Sequence, residues 1–292
     1  MRAGLGVMIF FLLAARAPAG ESLRVSPKAA EILQGEVLLV TVSGGDWSEV
    51  SGLLGQQRVP FFPRADGGYA GYVAADLEQK PGRLRLKIAG VAQSGAPARG
   101  AVELRVKEKR FAEERFSVAP SFDRLDEATL KRIEEEQKRL DLVWKGVSPT
   151  RLWSGAFALP VRGELGSPFG LRRIINGLPR SPHAGVDLKA PAGTEVIAAN
   201  DGRVVVRDEF FFGGKTLVLD HGGGLYSMYL HLSEFEAAEG ASVRKGEVIG
   251  RVGMTGRATG PHLHWGIRLL GARVDPLALI KASASEAGPA AR

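Results

Sequence analysis

Pro261-His262-Leu263-His264-Trp265 sets two imidazoles two residues apart, and on an extended segment they point to the same side. One can hold a metal while the other handles protons beside it. Pro261 biases Gly260 to extended backbone and opens a strand. Leu263 and Trp265 then face the opposite way, into packing. The chain has five histidines, His183, His221, His231, His262 and His264, all in its last two-fifths. Asp187 follows His183 by four residues. On a straight strand these two would lie ~13 Å apart at ~3.3 Å per residue, whereas zinc ligands lie ~2 Å from the ion. The chain must bend between them, and Gly185 is the residue that permits it. His231, between Leu230 and Leu232, is a third inward-facing candidate, while His221, in Asp220-His221-Gly222 beside a turn, reads as structural or groove-lining.

There is no cysteine. Disulfides, thiolate metal sites, cysteine nucleophiles and a lipid-bearing N-terminal cysteine are excluded. Nitrogen and oxygen ligands point to zinc without excluding other divalent ions. Three protein ligands with an open position make a site catalytic, since the metal lowers the pKa of a water towards ~7 and polarises a carbonyl. Further histidines then serve as proton carriers and oxyanion partners. The helical HExxH signature is absent.

The elements that must position these groups are mainly strands. Between Leu23 and Val106, Leu84, Leu86 and Ile88 alternate with Arg83, Arg85 and Lys87, and Val102, Leu104 and Val106 repeat the pattern. Val37 to Val42 reads as a strand buried on both faces. Short strands and glycine turns suggest a small immunoglobulin-like β-sandwich. A charged linker, Lys107 to Pro120, precedes a helix from about Asp126 to Val143. That helix has Leu130, Ile133 and Leu140 on one face, a solvated charged face, and four-apart Glu134-Lys138 and Glu135-Arg139 pairs. It reads as a connector. Strands and tight turns resume from Pro160 to about Ile280, with a hairpin expected over Val243 to Val252. The expected organisation is a signal peptide at 1–19, an N-terminal β accessory domain at 20–107, a linker with helix at 108–159, an antiparallel β-sheet peptidase domain with a groove at 160–281, and a loose tail at 282–292. Arg2, the apolar run Leu5 to Ala15 and Ala17-Pro18-Ala19 make the secretory signal, too short to span a bilayer. No stable membrane insertion is expected after its removal. The net charge of +7 suits anionic envelope polymers. No nucleic-acid motif is present.

His183-x-x-x-Asp187, Tyr229-x-His231 and His262-Leu263-His264 follow the order and context of the lysostaphin-type (LytM-like) zinc metallopeptidases. The flanking Ser167-Pro168-Phe169-Gly170, Asp220-His221-Gly222 and Gly256-x-x-Thr259-Gly260-Pro261 match as well. The resemblance covers about Pro160 to Leu279. It implies an exported or periplasmic zinc endopeptidase that cuts peptidoglycan peptides in a narrow groove. It implies one zinc ion held by His183, Asp187 and His264, with His231 and His262 as the catalytic histidines. Relatives that lost ligands act as non-catalytic activators of amidases, which is the alternative reading, but none of the five positions departs here. Tyr229 either lines the groove or packs, Asn176-Gly177 either lines it or makes a turn, and Arg172 to Pro182 reads as a loop over one end of the site, where Arg172, Arg173 and Arg180 either meet acidic groups or are solvated.

Overall fold

The computed structural model describes residues 23–65, 67–119 and 125–286. The expected signal segment lies outside these residues. Nine strands come first: β1 (Arg24–Pro27), β2 (Glu31–Leu33), β3 (Val37–Ser43), β4 (Trp47–Leu54), β5 (Gln57–Pro60), β6 (Phe62–Pro63), β7 (Tyr69–Ala74), β8 (Gly82–Ala92) and β9 (Pro97–Lys107). They form two sheets, ordered β1-β3-β7-β6 and β2-β9-β8-β4-β5. The doubly apolar β3 explains how they stack. Leu38, Val40 and Val42 pack with Leu86, Ile88 and Leu104 between the two sheets. Leu39, with Ala70 and Tyr72 of β7, turns the other way and joins Trp153, Phe157 and Leu279 in a second core. Each such buried apolar side chain contributes ~1.5–3 kcal/mol, so the sandwich is fastened to the rest of the chain by its own sheet. Arg273 clamps the same boundary, donating to both carboxylate oxygens of Asp76 at 2.6 and 3.0 Å.

The segment expected to be a free linker contains β10 (Glu113–Phe116), which pairs in parallel with β12 (Arg172–Ile175). β12 in turn pairs β13 (Leu178–Pro179) around the Asn176-Gly177 turn, so the expected loop is a hairpin. Helix α1 (Glu127–Trp144) begins at Asp126, whose carboxylate caps the Thr129 N–H at 2.7 Å. Glu134 and Lys138 pair at 2.7 Å as expected. Arg139 does not pair with Glu135; it reaches Asp208 and Glu239. Glu136 accepts the Phe211 N–H, and Arg132 donates to the Glu209 carbonyl at 2.8 Å. Part of the charged face therefore fastens the helix to the sheet, together with Trp144 against Tyr226.

The remaining strands are β11 (Glu164–Leu165), β14 (Gly185–Lys189), β15 (Glu195–Ile197), β16 (Gly202–Phe210), β17 (Gly214–Asp220), β18 (Leu225–Phe235), β19 (Ser242–Val243), β20 (Val248–Val252), β21 (His262–Leu269) and β22 (Ala272–Val274). They build one antiparallel sheet ordered β11-β14-β21-β18-β17-β16-β19, with β20 joining β15 to β18 and β22 flanking β21. β19 and β20 do not pair with each other, so the hairpin expected over Val243 to Val252 is absent; β19 pairs β16 instead. Helix α2 (Pro276–Glu286) follows. It replaces the first part of the expected loose tail, because Ala282 and Ser283 are buried and the Ser283 hydroxyl accepts the Phe157 N–H at 3.0 Å. Among the described residues, no helix is long and apolar enough to cross a membrane.

Candidate active site

Asp187 and His264 are direct partners across the antiparallel pair β14–β21. Their side chains therefore rise from one face, ~5 Å apart at Cβ. His262, two residues back, rises with them, while Leu263 and Trp265 are fully buried behind. His183 lies outside the strand. Two backbone bonds tie it to the loop ahead of β12: Gly170 N–H to the His183 carbonyl at 2.8 Å, and His183 N–H to the Leu171 carbonyl at 3.0 Å. The chain folds back before Gly185 rather than at it. Gly185 is absent from the positive-φ residues. What it supplies is space, since a Cβ there would come within 2.4 Å of the Trp265 carbonyl and 2.7 Å of His264 Nε2.

His231 is delivered by an irregularity. Between the pairs Leu217–Tyr229 and Lys215–Leu232, β18 has one residue more than β17. This is a β-bulge. His231 takes φ 62 within it, a left-handed conformation costing about 1 kcal/mol in a residue with a Cβ. β18 pairs with β21 as far as Leu230 and with β20 from Leu232 onward. The bulge thus lies where β20 and β21 part. The His231 ring centre lies 4.7 Å from that of His262 and 6.2 Å from that of His264.

His183 Nε2, His264 Nδ1 and Asp187 Oδ1 form a triangle with edges of 2.8, 2.9 and 3.1 Å. One ion ~2 Å from each atom could touch all three, so the residues fit a metal. His262 Nε2 is 3.8 Å from Asp187 Oδ1. Backbone carbonyls set the tautomers. His183 donates its Nδ1 proton to Pro168 at 3.0 Å, His231 to Thr255 at 2.9 Å, and His262 to Gly260 at 2.8 Å. A carbonyl can only accept, so in the neutral ring Nε2 carries the lone pair, the arrangement that orients metal-binding and proton-accepting imidazoles.

Burial raises the Asp187 carboxyl, but the His183 and His264 rings beside it outweigh that and hold the group well below the usual carboxylate range. Burial pushes His231 down to about 4, against the opposing Thr255 carbonyl. It lowers His264 too, with Asp187 opposing. The His231 and His264 rings are therefore neutral at pH 7.

The other singled-out residues do not face this cluster. His221 is fully buried, donating from Nδ1 to the Asp201 carbonyl at 2.7 Å and meeting Ser227 Oγ through Nε2 at 2.7 Å. Of its two readings, the structural one holds. Tyr229 is buried with its hydroxyl on the Ala199 N–H at 3.0 Å, so it packs rather than lines a groove. Asn176 takes φ 52 in the β12–β13 turn, and its Oδ1 accepts the Val118 N–H at 3.0 Å. Arg173 donates to Ser167 at 2.8 Å and Glu114 at 3.3 Å, and Arg172 lies over the Phe111 ring. Sequence reasoning missed the carbonyls of Pro168, Thr255 and Gly260. Their only trace is that all three lie in or beside the motif segments.

Residues 181–276 match Peptidase family M23. The DD-carboxypeptidase/endopeptidase Mpg of Neisseria meningitidis serogroup B is 43% identical over 116 residues, 40% of this chain and 27% of that protein. The peptidoglycan DD-endopeptidase ShyA of Vibrio cholerae is 38% identical over 115 residues, 39% of this chain and 27% of that protein. The chain thus spans about a quarter of the length of these curated relatives. A crystal structure of a Pseudomonas aeruginosa protein described as peptidase M23 is similar at 32% identity with a TM-score of 0.67, covering 86% of this chain and 95% of that one. Because that likeness takes in the sandwich and the histidine-bearing sheet together, this chain belongs to peptidase family M23.

Proposed function

We propose that this protein is an exported zinc metalloendopeptidase that hydrolyses peptide bonds in peptidoglycan cross-links. The convergence of His183, Asp187 and His264 within one ion's reach, with His231 and His262 beside them, carries the reading. The names of the Neisseria and Vibrio relatives point to the same substrate class. The two-nitrogen, one-oxygen donor set without a thiol favours zinc. When bound, zinc would acidify a water and polarise the scissile carbonyl. His231 and His262 are the acid–base pair. In its neutral form each presents an Nε2 that can accept a proton from the attacking water and then, as N–H, donate to the developing oxyanion or the leaving amine. Their Nδ1–carbonyl bonds keep the rings oriented throughout. Residues 160–281 form the peptidase domain and 20–107 an accessory domain, and the site of action is the periplasm or cell envelope. The complete set of five residues weighs against a non-catalytic activator of a partner amidase.

Purified cross-linked peptidoglycan incubated with the protein should yield fragments whose masses identify the broken peptide bond. A chelator should stop release, and added zinc should restore it. Undiminished cleavage by a His264→Ala variant would sink the assignment. Stimulation of a partner amidase by a protein that releases no fragments itself would favour the activator.

A further inference from the structure

A concentration of like charge lies on the N-terminal sandwich. β8 and β9 pair antiparallel, with Leu84 opposite Leu104 and Leu86 opposite Val102 against the sandwich core. The alternate residues point outward and are exposed: Arg83, Arg85 and Lys87 on β8, and Arg99, Arg105 and Lys107 on β9. Glu103 is the one acidic residue on these two strands. The register sets Arg83 directly opposite Arg105, an arrangement that destabilises a sheet unless something else relieves it. Glu103 lies 3.7 Å from Arg83, and Glu31 is taken by Lys107 at 2.7 Å. Among the described residues, Arg85, Lys87, Arg99 and Arg105 have no ion-pair partner. Neighbouring positions are ~5 Å apart across the strands and ~7 Å along them, inside the ~8 Å screening length of physiological salt. The cations therefore repel one another and act together on any anion that spans them.

The layering says where this face points. The sandwich's other outer face, with Leu39 and Tyr72, is packed on Trp153 and Phe157. The basic face therefore looks away from the peptidase sheet. It is broad and pleated, and β8 and β9 contain no aromatic residue to stack on a sugar or enter acyl chains. A planar array of anionic headgroups can neutralise such a lattice, whereas a single polymer strand would leave much of it unpaired. We propose that the outward face of β8 and β9 docks peripherally, without insertion, on an anionic lipid bilayer, holding the peptidase sheet on the side away from the lipid.

The test is co-sedimentation of the full chain with vesicles of phosphatidylethanolamine and phosphatidylglycerol, against vesicles of phosphatidylcholine. Binding is expected to the anionic vesicles and to be lost at about 0.5 M salt. The Arg83→Glu/Arg85→Glu/Lys87→Glu variant should bind at least about tenfold more weakly. Should that variant not fold, Arg85→Gln/Arg99→Gln alters two exposed, unpaired groups and should weaken binding about fivefold. The apolar Leu5 to Ala15 run is the same in every protein compared, so its contribution cancels. Equal binding by wild type and variants, or equal binding to phosphatidylcholine, would overturn the proposal. So would retention on purified peptidoglycan through these residues without vesicle binding. Neither probe nor readout involves bond cleavage, so the outcome is independent of the proposed hydrolysis.

Discussion

Two polar clusters are built on the same sheet, one buried and one half-buried, and they differ in how their hydrogen-bonding capacity is used. In the His221 cluster both ring nitrogens have protein partners, Asp201 and Ser227, and Ser227 Oγ also lies 3.0 Å from the Tyr229 hydroxyl. In the other cluster, His183, His231 and His262 each spend Nδ1 on a carbonyl and keep Nε2 for the site. A satisfied network rigidifies a core. A half-spent one, with every ring already oriented, is prepared for a partner that is not protein. Residue type does not separate the two clusters, since both are built on histidine; the nitrogen left for the site does.

Substitution should separate them by what is lost. His231→Ala removes a proton carrier without touching the ligand triangle, so peptidoglycan cleavage should fall by about 10²–10⁴-fold while thermal unfolding changes little. Loss of folding in step with activity would place His231 with His221. The smaller effect concerns stability. Burial holds His221 near 4 against an ordinary value of 6.5, so between these values the unfolded chain binds the extra proton. Stability from this group is present above pH 6.5 and is lost as pH falls towards 4. Between pH 7 and pH 5 the loss should be about 2 kcal/mol, read from urea midpoints, and a His221→Gln variant should show a flatter slope. An unchanged slope would mean that His221 is not the buried neutral group described.

The parts legible in the sequence were those written in local alternation. His262-Leu263-His264-Trp265 shows two residues facing the site and two facing the core, and β21 displays them so. The basic–apolar alternation of β8 was equally plain. The sequence pairs His183 with Asp187 and requires a bend between them, but it does not show how the bend is made, because the fold-back rests on bonds to Gly170 and Leu171, over ten residues earlier. The sequence suggests a hinge at Gly185, whereas its service is room for the His264 ring. The bulge at His231 depends on β18 changing partners, which no window of sequence contains. β10 looked like linker because its partner strand lies about sixty residues away. The charged face of α1 looked solvated because the groups that receive it, at residues 208–211, belong to another element.

The most direct measurement is the metal content of purified, dialysed protein by inductively coupled plasma mass spectrometry. The account predicts one zinc per chain in the wild type and in the His231→Ala, His262→Ala and His221→Gln variants, and none in Asp187→Ala or His264→Ala. A metal-free wild type, or a His231→Ala variant as empty as His264→Ala, would contradict the division of the cluster into holders and proton carriers.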